Sequence, residues 1–354
     1  MASKVNTRDY YSEYFGHNVD YLQTIHDHLR SGNEQRPCIF LAGDSSLDNK
    51  VWFESSATAI NGYENVLSPP TMKLDVCYWL NMEAQRRGID AFCVNTAVEA
   101  TSLNSRACCI LLAQDQLISR CITPRDILVV SIGGNDLALN PVLATIANII
   151  PLLCCTPLQC IDNCSVACPP NTHVDLGCCG CGLPGCLVSP FGWPVGMAYF
   201  VDLFGNRVEN YVKRVLVGRK PQKVVICMYY FLDVYGRGGW ADCFLSCMCY
   251  DVAPARLQSA IKKVYELATR RIRIPGVEVI PVPLFKALDG QDTRDYVQRV
   301  EPSPQGGRKI AVALMDAIYG RADSPPSEGE DDSSGGGLGD ADGSSVGLVN
   351  VMRR

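Results

Sequence analysis

Five short apolar runs, spaced by stretches with helical periodicity, constrain this chain more than any other feature. They are Cys38–Ala42, Asp90–Val98, Asp126–Ile132, Lys223–Leu232 and Val277–Phe285. Each reads as a strand. Thr71–Arg87, Leu103–Cys121, Ala255–Arg273 and Gln305–Tyr319 read as the helices between and after them. Strands that are apolar on both faces must be covered on both faces, and alternation with helices makes them parallel β-α-β units. The expectation is an α/β fold: a three-layer α/β/α sandwich on a five-stranded parallel sheet of flavodoxin-like order 2-1-3-4-5.

The 354 residues, 47% of them hydrophobic, are ample for one large core. Residues 1–36 read as an N-terminal helical segment packed on the domain, with Tyr14, Val19, Leu22, Ile25 and Leu29 among polar residues. His17, His26 and His28 in that segment read as solvated surface residues, not metal ligands. The main α/β domain is expected over 37–321, with an insertion at about 151–198. Residues 322–354 are Gly, Ser, Asp and Glu with few apolar side chains, and are expected to be a disordered acidic tail. That tail holds seven of the acidic side chains and two arginines, so it carries the whole net charge of −5 and residues 1–321 are neutral. Nothing in this balance points to nucleic acid. The polar N-terminus does not read as a signal peptide, and no apolar run reaches the ~18–20 residues needed to span a bilayer. A cytoplasmic location, with peripheral membrane contact as an addition, is the expectation.

Nine cysteines fall between Cys154 and Cys186. Four readings stay open: buried reduced thiols, S-acylation, disulfides, or a zinc site with His173. Zinc-finger spacing is absent, and no metal or cofactor is expected. The insertion follows the third strand on its carboxyl side, so it is placed to cover a site there or to touch a membrane.

Chemistry-bearing residues gather at the strand ends. Gly43-Asp44-Ser45 follows the first strand, and the segment from Asn95 to Thr101 follows the second. Gly133-Gly134-Asn135-Asp136 follows the third, and Gln298 to Gly307 follows the fifth. In open α/β sheets, ligands bind at the carboxyl ends of the strands. A Ser hydroxyl there is a candidate nucleophile that needs a base and an oxyanion site. Plain turns at 43–45 and 133–136 are the bland alternatives. Ser303-Pro304 reads as a helix cap with Pro at the first helical position.

In order and position these segments resemble the SGNH (GDSL-type) esterase and lipase superfamily, over roughly 37–320 without the insertion. G-D-S-S places Ser45 at the nucleophile. G-G-N-D places Asn135 at the oxyanion Asn, and Ala100 stands where the family usually has Gly. The resemblance implies an oxyanion hole from the Ser45 and Ala100 backbone N–H groups and Asn135. The last block departs from the family pattern: Q-R-V-E-P-S-P-Q-G puts Glu301 at the His position and Gln298 at the Asp position. Glu301 then reads as an atypical base steadied by Gln298, or as an ordinary loop carboxylate. Asp292, Asp295 and His173 are the other candidate contributors.

Two functions follow. One is a serine ester hydrolase or acyl-transfer enzyme acting on a small-molecule or lipid ester through Ser45, Glu301 and Gln298. The other is a catalytically impaired relative that binds an acylated lipid, sugar or protein. Oligomeric state has no readable signal.

Overall fold

A computed structural model describes residues 4–107, 110–139, 143–171 and 187–321. The expectations for His173, for Cys178, Cys179, Cys181 and Cys186, and for the tail fall outside these residues. The sheet strands are β1 (Cys38–Gly43), β2 (Phe92–Val94), β3 (Ile127–Ser131), β4 (Lys223–Met228) and β5 (Glu278–Pro283). Every pairing is parallel, and the order is 2-1-3-4-5. Central β1 and β3 are buried along their whole length, as continuous apolar strands require. β5 carries Pro281 and Pro283 and lies at an edge, where a missing N–H breaks no ladder.

Six longer helices pack on the sheet: α1 (Val19–Ser31), α2 (Val76–Arg86), α3 (Ala113–Cys121), α4 (Val208–Val215), α5 (Pro254–Leu267) and α6 (Pro304–Tyr319). Each face of the sheet has its own core. Val76, Leu80, Ile310 and Leu314 of α2 and α6 meet Ile39, Leu41 and Val129 on one side. Leu22, Leu117, Tyr211 and Val264 of α1, α3, α4 and α5 meet Phe40, Leu128 and Val224 on the other. This alternation along β1 and β3 is the period-two pleat dividing one apolar run between two layers.

Several boundaries differ from the sequence reading. Thr71–Lys73 is a strand antiparallel to Ser56–Thr58, not the first turn of a helix. The helix starts after Asp75, whose carboxylate accepts the Tyr78 N–H at 2.7 Å and satisfies an otherwise orphaned donor. Leu103–Ala107 and α3 are separate helices. The fourth strand ends at Met228, and α5 ends at Leu267 before a short 3-10 turn, Thr269–Arg271. His17 and His26 are buried, overturning the surface reading. His17 bonds the Tyr10 carbonyl through Nδ1 at 2.7 Å and stacks on the Tyr10 ring.

In the insertion, helix Leu143–Ile150 leads to helix Leu158–Cys164, which lies beside α5, with Arg256 donating to the Leu153 carbonyl at 3.1 Å. Leu143, Ile146 and Ile150 remain exposed. Cys155, Cys164 and Cys168 are exposed and Cys154 and Cys160 half-buried, so the reading of buried thiols fails for these five. They are free thiols. Cys154 Sγ lies 3.5 Å from Cys249 Sγ. Among the described residues no single helix is long and apolar enough to cross a membrane.

Candidate active site

β1 ends where it must come close to β3. A Cβ on Gly43 would sit 2.0 Å from the Ser131 carbonyl oxygen, so only glycine fits there. The chain then turns, with the Leu47 and Asp48 N–H groups both donating to the Asp44 carbonyl at 3.0 and 2.9 Å. That turn presents Ser45 at the carboxyl edge of the sheet, buried but not sealed. The Asp44 carboxylate is buried. It accepts the Ser46 N–H and hydroxyl at 3.1 and 2.8 Å, and the Tyr229 hydroxyl. Tyr229 Oη in turn accepts the Gly134 N–H at 2.9 Å, which ties the 43–46 turn to the 133–136 turn.

Asn135 opens a short helix after β3 and is buried. Its side-chain amide donates one N–H to the Thr101 carbonyl at 3.1 Å and keeps a second. Asp136 accepts the Leu103 and Asn104 N–H groups at 2.6 and 3.1 Å, capping the helix Leu103–Ala107. Between these points lies Ala100 in a left-handed conformation, φ +57°. A glycine adopts that conformation without strain, whereas Ala pays for its Cβ. Among the described residues no acceptor takes the Ser45 or Ala100 backbone N–H.

The loop from Asn95 to Ala100 is held by a buried charge. Asp48 forms an ion pair with Lys50 in which both side chains are fully buried. The same carboxylate accepts Asn95 Nδ2 and the Glu99 N–H, each at 3.1 Å. A second buried pair, Arg106–Asp115 with Tyr211, backs Thr101, since Arg106 Nε reaches the Thr101 hydroxyl at 3.2 Å.

Glu301 arrives on a two-residue strand pairing Tyr296–Val297 with Glu301–Pro302, just before α6. Ser303 caps α6 by accepting the Gly306 N–H, with Pro304 at the first helical position. Asn49 Nδ2 donates to the Pro302 carbonyl at 2.9 Å, fixing this segment against the Ser45 turn. The Glu301 carboxyl is buried, and Oε2 has no hydrogen-bond partner. Burial pushes its pKa up to about 8. The Ser45 hydroxyl, acting as a donor, pulls the other way, and the Asp44 charge adds to the rise.

The sequence reading placed Gln298 beside Glu301, but the structure does not bring them together. Gln298 is exposed, and its side-chain carbonyl accepts the Trp240 N–H at 3.0 Å. Asp292 pairs with Arg294, and Asp295 with Lys309. The sequence reading missed Glu99 as a site residue. It is buried, with one oxygen unpartnered. Burial first, and then the charges of Glu301, Asp48 and Asp44, raise its pKa to about 10. Glu99 lay inside a strand-end segment already singled out, but its burial depends on segments distant in sequence.

Ser45, Asn135 and Glu301 line a cavity of about 110 Å³ whose wall is otherwise mostly apolar: Phe204, Met228, Leu257 and Ile261, with Trp240 and Phe244 from the loop after β4. Such a wall binds hydrocarbon and excludes water from a few convergent polar groups. No group of three or more potential metal ligands occurs among the described residues.

No protein-family model matches the sequence, and comparison with curated proteins finds no match. Solved structures are similar. An acetyl xylan esterase variant from Geobacillus stearothermophilus has a TM-score of 0.40 and 11% identity, covering 81% of this chain and 98% of that one. Phospholipase A1 from Streptomyces albidoflavus has a TM-score of 0.39 and 12% identity, covering 80% and 99%. A family 3 carbohydrate esterase from Clostridium thermocellum has a TM-score of 0.35 and 12% identity, covering 80% and 95%. Likeness at this level fixes neither substrate nor site.

Proposed function

We propose that the protein is a serine ester hydrolase or acyl-transfer enzyme of the SGNH type, with Ser45 as nucleophile and Glu301 as base. The observation that carries this reading is that Ser45 and the buried Glu301 carboxyl line one apolar cavity, with Asn49 tying the Glu301 segment to the Ser45 turn. Ionised Glu301 takes the Ser45 proton as Oγ bonds to the acyl carbon. The oxyanion is met by the Ser45 and Ala100 N–H groups and the second N–H of Asn135. Protonated Glu301 then returns its proton to the leaving alkoxide. Water, or another alcohol in acyl transfer, repeats the sequence on the acyl-enzyme. The cavity wall takes the apolar part of the substrate, a small-molecule or lipid ester.

The raised pKa of Glu301 sets the working range. At pH 7 most of it is protonated and cannot act as a base, so turnover belongs to mildly alkaline solution. The same observation favours a second reading, that of a protein that only binds an acylated ligand in this cavity. Fluorophosphonate labelling read by intact mass separates the two. One adduct on Ser45, absent in Ser45→Ala, supports the enzyme. No adduct at pH 9 on folded protein supports the binder.

A further inference from the structure

The cavity at Ser45 adjoins a second one of about 30 Å³, and Leu137, Phe204, Met228, Leu257 and Ile261 line both. Every residue lining the second cavity is apolar. Water finds no hydrogen-bonding side chain there, whereas hydrocarbon fits such a wall. One wall is a single face of α5, where Leu257, Ala260, Ile261 and Val264 recur at helical spacing. Another is the insertion, through Ile149 of the helix Leu143–Ile150 and the following Leu152 and Leu153. Leu257 lines both cavities, and Val264 lines the second alone. Two helical turns separate them, about 10 Å along α5, which matches an extended chain of about eight carbons.

We propose that the second cavity takes the far end of the acyl chain. The substrate is then an ester of a straight, medium-chain fatty acid, and the insertion sets the chain length. This deepens the proposed ester hydrolysis and rests on Ser45 being the nucleophile.

The chemistry decides which part of the ester enters. Glu301 lines the first cavity and not the second. It returns its proton to the leaving alkoxide, so the alcohol part stays in the first cavity beside it. The oxyanion is held at Asn135. Leu137, two positions on in the same short helix, lines both cavities. The acyl chain is the substituent left to run past Leu137. An acetyl group ends in the first cavity and leaves the second unfilled. Each methylene buried there should raise kcat/KM about fourfold, up to the length at which both cavities are full. A longer chain has to displace Phe200 or Val264, both buried, and overpacking costs more than one methylene gains.

The test uses the full chain at pH 9 and straight-chain p-nitrophenyl esters from acetate to laurate, read as kcat/KM. In the wild type, kcat/KM should rise from acetate to octanoate and fall again by laurate. Ala260→Phe puts a ring into the second cavity and should lower the ratio of octanoate to acetate by about tenfold or more. Ile149→Phe does the same from the insertion, and decides if Ala260→Phe does not fold. A wild type that prefers acetate, or a ratio unmoved in a folded variant, overturns the proposal. The hydrolase reading fails separately. If the wild type turns over no ester, that reading falls, and calorimetric binding of methyl octanoate and methyl butyrate decides for or against the acyl-chain site. Tighter binding of methyl octanoate that is lost in Ala260→Phe supports the site, and equal binding of the two esters overturns it.

Discussion

Asp48 accepts the Glu99 backbone N–H at 3.1 Å with the same carboxylate that neutralises buried Lys50. One ion pair therefore fixes the loop that carries Glu99 and the Ala100 N–H.

Removing one partner should cost heavily. Asp48→Ala leaves the Lys50 ammonium buried without a counter-charge, and destabilisation of about 3–5 kcal/mol is expected in urea unfolding. The double variant Asp48→Leu with Lys50→Met should recover most of that loss. It should not recover turnover, because the Glu99 N–H still has no acceptor. Equal stability of the two variants would mean the pair does not organise the loop.

Ala100 sits at φ +57°, where a side chain is strained. Ala100→Gly relieves that strain at some cost in unfolded-state entropy, for a net gain of about 0.5–1 kcal/mol with turnover retained. Ala100→Val should lose more than 1 kcal/mol and lower kcat, since the shifted N–H no longer meets the oxyanion. Thermal unfolding and steady-state kinetics on the three proteins check both points.

The raised pKa of Glu301 also fixes a stability slope. The unfolded chain releases this proton near pH ~4.3, whereas the folded chain holds it to about 8. Between those values the folded state binds more protons, so stability falls as pH rises, by up to about 1.4 kcal/mol per pH unit. Glu301→Gln cannot lose a proton. It should match the wild type near pH 4–5 and exceed it in melting temperature by a widening margin toward pH 8, while turnover drops by a factor of about 10²–10⁴. A constant margin across that range would show that Glu301 is not the titrating group.

Cys154 and Cys249 hold their sulfurs 3.5 Å apart, joining the insertion to the loop after β4. Treatment with diamide should form a Cys154–Cys249 disulfide, seen as a linked peptide pair and a loss of two mass units. Cys249→Ser should abolish that linked pair. Unlinked 154 and 249 peptides after oxidation of the wild type would show that the two thiols do not meet.

The sheet was legible because Cys38–Ala42 and Ile127–Ser131 are apolar on both faces, and only a covered parallel strand uses such a run. The cap Ser303-Pro304 was legible because capping is local chemistry. Thr71–Lys73 was not, because its partner, Ser56–Thr58, is a surface strand with no apolar alternation. Asp75 was the overlooked start signal for α2. His17 looked exposed because its polar neighbours in sequence are not its neighbours in space, where the Tyr10 ring covers it. Ser45, Asn135 and Glu301 could be aligned from short motifs. The burial of Glu99, and the engagement of Gln298 by Trp240, depend on how distant loops meet, and no local pattern encodes that.

The most direct measurement is the rate of fluorophosphonate modification at Ser45 as a function of pH, followed by intact mass. The account predicts a single adduct on Ser45, with a rate that rises through about pH 8 and collapses in Glu301→Gln. Absence of an adduct at pH 9 on folded protein, or a rate indifferent to Glu301→Gln, would contradict it.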